Sequence, residues 1–123
     1  MFFRVILYLS IIFLISSCTS LRKMMMIAGE NPMEGHPDTV VIGAQLFSKN
    51  CVQCHADDGS GQGQLAKTLD EQPANLQELA KRKSVKTFAA NIYYGKNLMP
   101  AYKDVLSEEE IWHLANFVKS LGQ

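Results

Sequence analysis

The chain has no surplus of either charge: Lys plus Arg and Asp plus Glu number twelve each in 123 residues. Without a large positive field it has little with which to hold a phosphate backbone, so a nucleic-acid partner is not expected. Cysteine is scarce and odd in number, with only Cys18, Cys51 and Cys54. An odd count does not build a plain disulfide framework, so each cysteine needs its own account. No apolar run approaches the roughly 20 residues that cross a hydrocarbon core. No segment reads as a convincing strand, and no internal repeat or low-complexity tract is visible. With 47% apolar and 20% charged residues the chain also lacks a disorder signature. What remains is room for one small helical domain and a targeting segment.

The targeting segment comes first. Met1–Arg4 is a short n-region with one positive charge, and Val5–Ile15 is an almost unbroken apolar run. That run suits the h-region of a signal peptide better than a membrane span. It ends in Ile15-Ser16-Ser17-Cys18, which resembles the lipobox of bacterial lipoproteins, where the cysteine becomes the lipidated first residue. The competing reading is an uncleaved anchor that uses Phe2 and Phe3 for extra length, but it leaves Cys18 unexplained. The expected organisation is therefore a signal peptide over 1–17, a lipidated N-terminus and flexible tether over 18–38, and a folded domain over 39–123. Such a protein would sit in a bacterial cell envelope, lipid-anchored to a membrane and facing the periplasm or the cell exterior. Within the tether, Met24, Met25 and Met26 are adjacent and cannot share one face of an element, so they read as linker and not as metal ligands. His36, between Gly35 and Pro37, reads the same way.

Three main helices are predicted after the tether. The first runs from about Val40 to Asn50, capped by Asp38 or Thr39, with Ile42, Leu46 and Phe47 on its apolar side. The second starts at Ser84, carries Val85, Phe88, Ala89 and Ile92 at helical spacing, and ends at Gly95. The third opens with a capping box of Ser107 and Glu110 and carries Ile111, Leu114, Phe117, Val118 and Leu121. A shorter turn is possible around Leu76–Ala80. The class is all-α. Such a small domain needs a staple beyond its own core, and the glycine-rich stretch Ala56–Asn75 makes sense only if it wraps something.

Cys51-Val52-Gln53-Cys54-His55 supplies that object. Cysteines three apart lie on one face of a helical turn, so both sulfurs can reach the two vinyl groups on one porphyrin edge. The adjacent histidine can then place a ring nitrogen under the iron, and the pattern reads as covalent haem attachment. A zinc site would need a second Cys or His pair, and a thioredoxin-like redox pair would need a βαβ context. A disulfide between Cys51 and Cys54 would close too small a loop to stabilise much. For the second axial iron ligand the best residue is Met99, in Asn97-Leu98-Met99-Pro100, because Pro100 holds it in extended backbone away from any helical core. His113, on the third helix, is the rival.

From about Val40 to Gln123 the sequence resembles the class I, mono-haem cytochrome c family. The resemblance rests on the haem motif and on Gly43 and Phe47 preceding Cys51 at four-residue steps. It implies a small cytochrome c fold of three main helices and loops around one covalent haem c. It also implies a close crossing of the first and last helices at Gly43, against Leu114 and Phe117. A carbonyl from Pro73-Ala74-Asn75-Leu76 would accept a hydrogen bond from the proximal histidine. The stretch Asp58–Gly63 resembles bacterial members of the family, not the mitochondrial one. With His55 and Met99 both on iron no position is left for substrate, so the expected function is single-electron carriage between membrane-associated redox partners, without catalysis and without a small-molecule substrate. Two alternatives stand: a haem c subunit of a larger membrane oxidoreductase complex, and a gas-binding or sensory haem protein with Met99 off the iron. Lys81, Arg82, Lys83 and Lys86 form the one dense basic cluster. Trp112 points away from the main stripe of its helix, and its role is left open by the sequence.

Overall fold

The structure is a computed structural model that describes residues 29–123; the signal-peptide region, Cys18 and Met24–Met26 lie outside the described residues. Asn31–Gln123 forms a compact unit. Its elements are α1 (Thr39–Asn50), α2 (Val52–His55), a 3-10 turn (Gln64–Thr68), α3 (Leu76–Arg82), α4 (Val85–Tyr94) and α5 (Glu108–Ser120). Among the described residues there is no strand, only one isolated bridge between Lys96 and Met99. None of the described helices is long and apolar enough to cross a membrane.

Local chemistry sets most of these boundaries. Ser107 Oγ accepts from the Glu110 amide while the Glu110 carboxylate accepts from the Ser107 amide, which is the expected capping box of α5. Ser84 accepts from the Thr87 amide and starts α4, and Gly95, at φ 74°, ends it. The possible turn at Leu76–Ala80 is a full helix to Arg82, because Asn75 caps its start through the Glu78 amide. At its other end Lys119 Nζ donates to the Ala80 and Lys83 carbonyls, at 2.6 and 3.1 Å, where the helix dipole favours a cation. In the basic cluster, Lys81 is already paired with Glu78 at 2.8 Å.

The start of α1 differs from expectation. Asp38 occupies the cap position without a side-chain cap bond. Thr39 instead turns inward, buried, and its hydroxyl lies 2.8 Å from His113 Nδ1 on α5. The stretch Asn31–Asp38, expected to be loose tether, belongs to the compact unit. Asn31 and Asn116 exchange amide hydrogen bonds of 2.8 and 3.2 Å, and the rings of His36 and His113 meet edge-on at 6.1 Å. These pairings explain how a histidine at 4% exposure is tolerated on α5.

The core is built around α5, which packs against α1, α3 and α4. Five consecutive residues, Ile111–Ala115, are buried along with Val118, so α5 is covered on more than the one predicted stripe. Trp112, whose role the sequence left open, is one of them, at 4% exposure. Phe47, Ile111 and Leu114 are the largest fully buried side chains. Burying each contributes roughly 1.5–3 kcal/mol. Phe47 also packs its ring on Phe117, centroids 5.1 Å apart.

The α1–α5 crossing turns on Gly43. A Cβ there would lie 2.6 Å from Phe117 Cβ and closer still to the His113 carbonyl oxygen. Helix propensity alone would favour alanine by about 1 kcal/mol, but a backbone carbonyl cannot swing aside as a side chain can. Gly43→Ala is therefore expected to destabilise by about 1–2 kcal/mol net, read as a lower urea midpoint with an unchanged slope.

Candidate functional site

A cavity of about 270 Å³ opens between α1, α3, α4, α5 and two loops. That is far more than the packing voids of an ordinary core, so it is a place for a ligand. Cys51, Cys54, His55 and Met99 all line it, together with Phe47, Leu76, Phe88, Ile92, Leu114 and Val118. The structure thus brings the four sequence-predicted haem residues to one space. His113 and Trp112 are not among the lining residues.

The motif itself is a single helical turn. Cys51 ends α1, its amide donating to the Phe47 carbonyl, and Val52–His55 follows as α2. A helix this short leaves its carbonyls without partners. The glycine loop supplies them: the Gly63 amide donates to Cys54 O at 3.1 Å and the Gly61 amide to His55 O at 2.9 Å. The same loop grips the segment after it. Gln72 Nε2 donates to Gly61 O, the Leu76 amide to Gly59 O, and Gln77 Nε2 to Asp58 O, at 2.7, 2.7 and 2.8 Å. Wedged between the two, Gly61 holds φ 82°, and a Cβ would run into the Pro73 and Ala74 carbonyls.

This wedge sets the position of Ala74. Its carbonyl oxygen lies 3.1 Å from His55 Nδ1. A carbonyl only accepts, so Nδ1 carries the proton and Nε2 keeps a free lone pair. Burial lowers the His55 pKa against a smaller opposing effect of the Ala74 bond, so the neutral, ligating form is favoured. The carbonyl comes from the Pro73–Leu76 stretch implied by the family resemblance, and the structure narrows it to Ala74.

Cys51 is buried and Cys54 half-buried, and neither is in a disulfide. Burial, aided by neighbouring Cys54, pushes the Cys51 thiol up to about 12, which does not suit a thiolate redox nucleophile. Among the described residues no group of three or more His, Cys, Asp or Glu could hold a metal ion.

Met99 is presented by a two-residue turn. Lys96 and Met99 exchange backbone hydrogen bonds of 3.0 and 2.9 Å, with Asn97 at φ 53° in between. Extended backbone at Met99 is what Pro100 demands of the residue before it. Tyr102 anchors the next stretch: its amide donates to Ile92 O and its hydroxyl to Asn50 O, both at 2.9 Å. Burial, with Cys51 and Cys54 nearby, raises the Tyr102 pKa and keeps the hydroxyl a donor. Sequence reasoning missed Tyr102, whose only signal was an aromatic in the short loop between Pro100 and the capping box.

The family model described as cytochrome c oxidase, cbb3-type, subunit III matches residues 38–118. The chain is 41% identical over 78 residues to a cytochrome c6 of Anabaena variabilis, a match covering 63% of this chain and 86% of that protein. It is 37% identical over 76 residues to a cytochrome c6 of Leptolyngbya boryana, covering 62% and 85%. Among solved structures, a chain of the reducing HAO-like protein complex of Kuenenia stuttgartiensis matches with a TM-score of 0.65 at 22% identity. That match covers 77% of this chain and 50% of that one, and at this identity it speaks to the fold alone.

Two glycines with nearly the same φ isolate the wedge. Gly35, at φ 75°, has nothing within 4 Å of a built Cβ, whereas Gly61 meets backbone. Gly35→Ala should cost about 1 kcal/mol, from its positive φ alone. Gly61→Ala should cost about 3 kcal/mol or more, because overpacking adds to it. Urea unfolding of the two variants side by side checks the difference.

Proposed function

From its membership of the class I, mono-haem cytochrome c family, to which the chain belongs, we propose that it passes single electrons between membrane-associated redox partners on the exported side of a bacterial membrane. It is an electron carrier and not an enzyme, and its cofactor is one covalently bound haem c. The residues present fit that group: two thiols, an imidazole and a thioether line one largely apolar cavity. In this reading Cys51 and Cys54 would hold the haem through thioethers, and His55 Nε2 and Met99 Sδ would ligate its iron.

The observation that carries the reading is the His55–Ala74 hydrogen bond, which fixes the one tautomer able to ligate through Nε2. When bound, the haem supplies the one-electron couple. The chain does the rest. Ala74 keeps the imidazole from rotating, the Lys96–Met99 turn presents a soft neutral sulfur, and Phe47, Phe88, Leu114 and Val118 keep water away. Were His55 and Met99 both to ligate the iron, no position would remain for substrate, which disfavours the gas-sensing alternative.

A lipid on Cys18 would tether this carrier, since the sequence there resembles a lipobox and lipoprotein processing supplies the more than one chain that stable anchoring takes. The second reading, a haem c subunit of a membrane oxidoreductase, draws support from the family description, which names a subunit of an oxidase.

Three experiments test these proposals. Met99→Ala should keep the haem attached, lose the sulfur-to-iron absorption band, bind carbon monoxide when reduced, and lower the midpoint potential markedly within the roughly 0.8 V that axial ligands span. The wild-type spectrum and potential in that variant would refute Met99 as ligand. Cys18→Ser should block cleavage after Ser17 and abolish fatty-acid labelling. In mild detergent, wild type migrating as a single small protein marks a free carrier, and stable co-migration with oxidase subunits marks the second reading.

A further inference from the structure

Two loops remote in sequence meet at the cavity through one side-chain bond. Asn97 Nδ2 donates to Glu71 Oε1 at 2.8 Å, and both residues line the cavity. Asn97 stands in the turn that carries Met99. Glu71 stands just before Ala74, whose carbonyl orients His55. We propose that Glu71 and Asn97 are positioning residues whose hydrogen bond latches the Met99 turn to the His55-orienting loop and slows displacement of Met99 from the iron. This rests on the reading of Met99 as axial ligand.

The turn needs outside support. Its two backbone bonds join Lys96 only to Met99, so they shape the turn without fastening it. Burial does not fasten it either: Lys96, Asn97, Leu98 and Pro100 are all exposed, Leu98 at 56%. Firm attachments lie at its two ends, where the Gly95 amide donates to Asn91 O and the Tyr102 amide to Ile92 O. Between these ends the Met99 backbone lies against Gly95 while the tip at Asn97 and Leu98 is exposed, and the bond to Glu71 ties that tip across to the other loop. A carboxylate acceptor makes it stronger than a neutral pair, and solvent exposure keeps it modest.

Asn97 has a second reason to be asparagine, since φ 53° suits Asn better than most residues. The test must therefore separate turn shape from latch. Asn97→Gly keeps access to the turn conformation but removes the amide. Glu71→Ala removes the acceptor without touching the turn, and Glu71→Gln retains an oxygen acceptor at the same reach.

In the oxidised holoprotein, added imidazole competes for the Met99 position, and loss of the sulfur-to-iron band gives the displacement rate. Glu71→Ala and Asn97→Gly should each displace about three- to tenfold faster than wild type, and Glu71→Gln should stay within about twofold. The double variant Glu71→Ala/Asn97→Gly should be no faster than either single one, because one bond is lost only once. A wild-type rate in Glu71→Ala, or additive effects in the double variant, overturns the latch. Met99→Ala serves as the control: if it keeps the wild-type band, the ligand reading and the latch both fall. If its band is lost while Glu71→Ala behaves as wild type, the latch alone falls.

Discussion

One turn of helix with a free carbonyl end is the constraint on which the rest of this structure depends. The Cys51–His55 turn must set two sulfurs and an imidazole on the wall of one cavity, yet a segment so short has no stability of its own. It is held from before by α1, through the Cys51 amide on Phe47 O, and from behind by the amides of Gly61 and Gly63. Those two amides reach their carbonyls only because the loop is glycine where it touches other backbone. The same loop then grips Gln72, Leu76 and Gln77, so Ala74 arrives at His55 Nδ1 as a consequence. The orientation of one imidazole is thus the end of a chain of backbone and side-chain hydrogen bonds that starts at a helix end.

α5 anchors the other half. One face supplies Leu114 and Val118 to the cavity, another carries the Gly43 crossing, and a third meets the Asn31–Thr39 segment through His113 and Asn116. A helix used on three faces cannot show a single apolar stripe. Trp112 and His113 are buried although they fall outside the stripe read from periodicity.

The features legible in the sequence are those whose cause is local. Ser107 with Glu110, Ser84 with Thr87, and Gly95 each act within a few residues, and each does in the structure what its pattern said. The spacing of Gly43, Phe47 and Cys51 was legible because a helix repeats its faces. Illegible were side-chain pairs between residues remote in sequence: Thr39 with His113, Asn31 with Asn116, Tyr102 with Asn50, Asn97 with Glu71. No periodicity links such residues, and each alone reads as ordinary surface polarity. Asn31–Asp38 reads as tether for the same reason, since its glycine and prolines mark irregular backbone but do not say what that backbone lies on.

The irregular segments, more than the helices, match this fold to electron carriage. A carrier works best when little moves as the iron changes charge, so the two proposed ligands, His55 and Met99, should be held in both oxidation states. Helices give the cavity its apolar walls, but neither His55 nor Met99 is steadied by helix packing alone. His55 is steadied by a loop carbonyl, and Met99 by a turn whose neighbours Tyr102 and Asn97 bond to α1 and to the Glu71 loop. Hydrogen bonds at 2.8–3.1 Å fix a direction as well as a distance, which dispersion contacts do not. A small domain with a large prosthetic group in its core has few residues to spare for a second layer around the iron. Here the loops supply that layer, which is why so much of a nominally all-α chain is irregular.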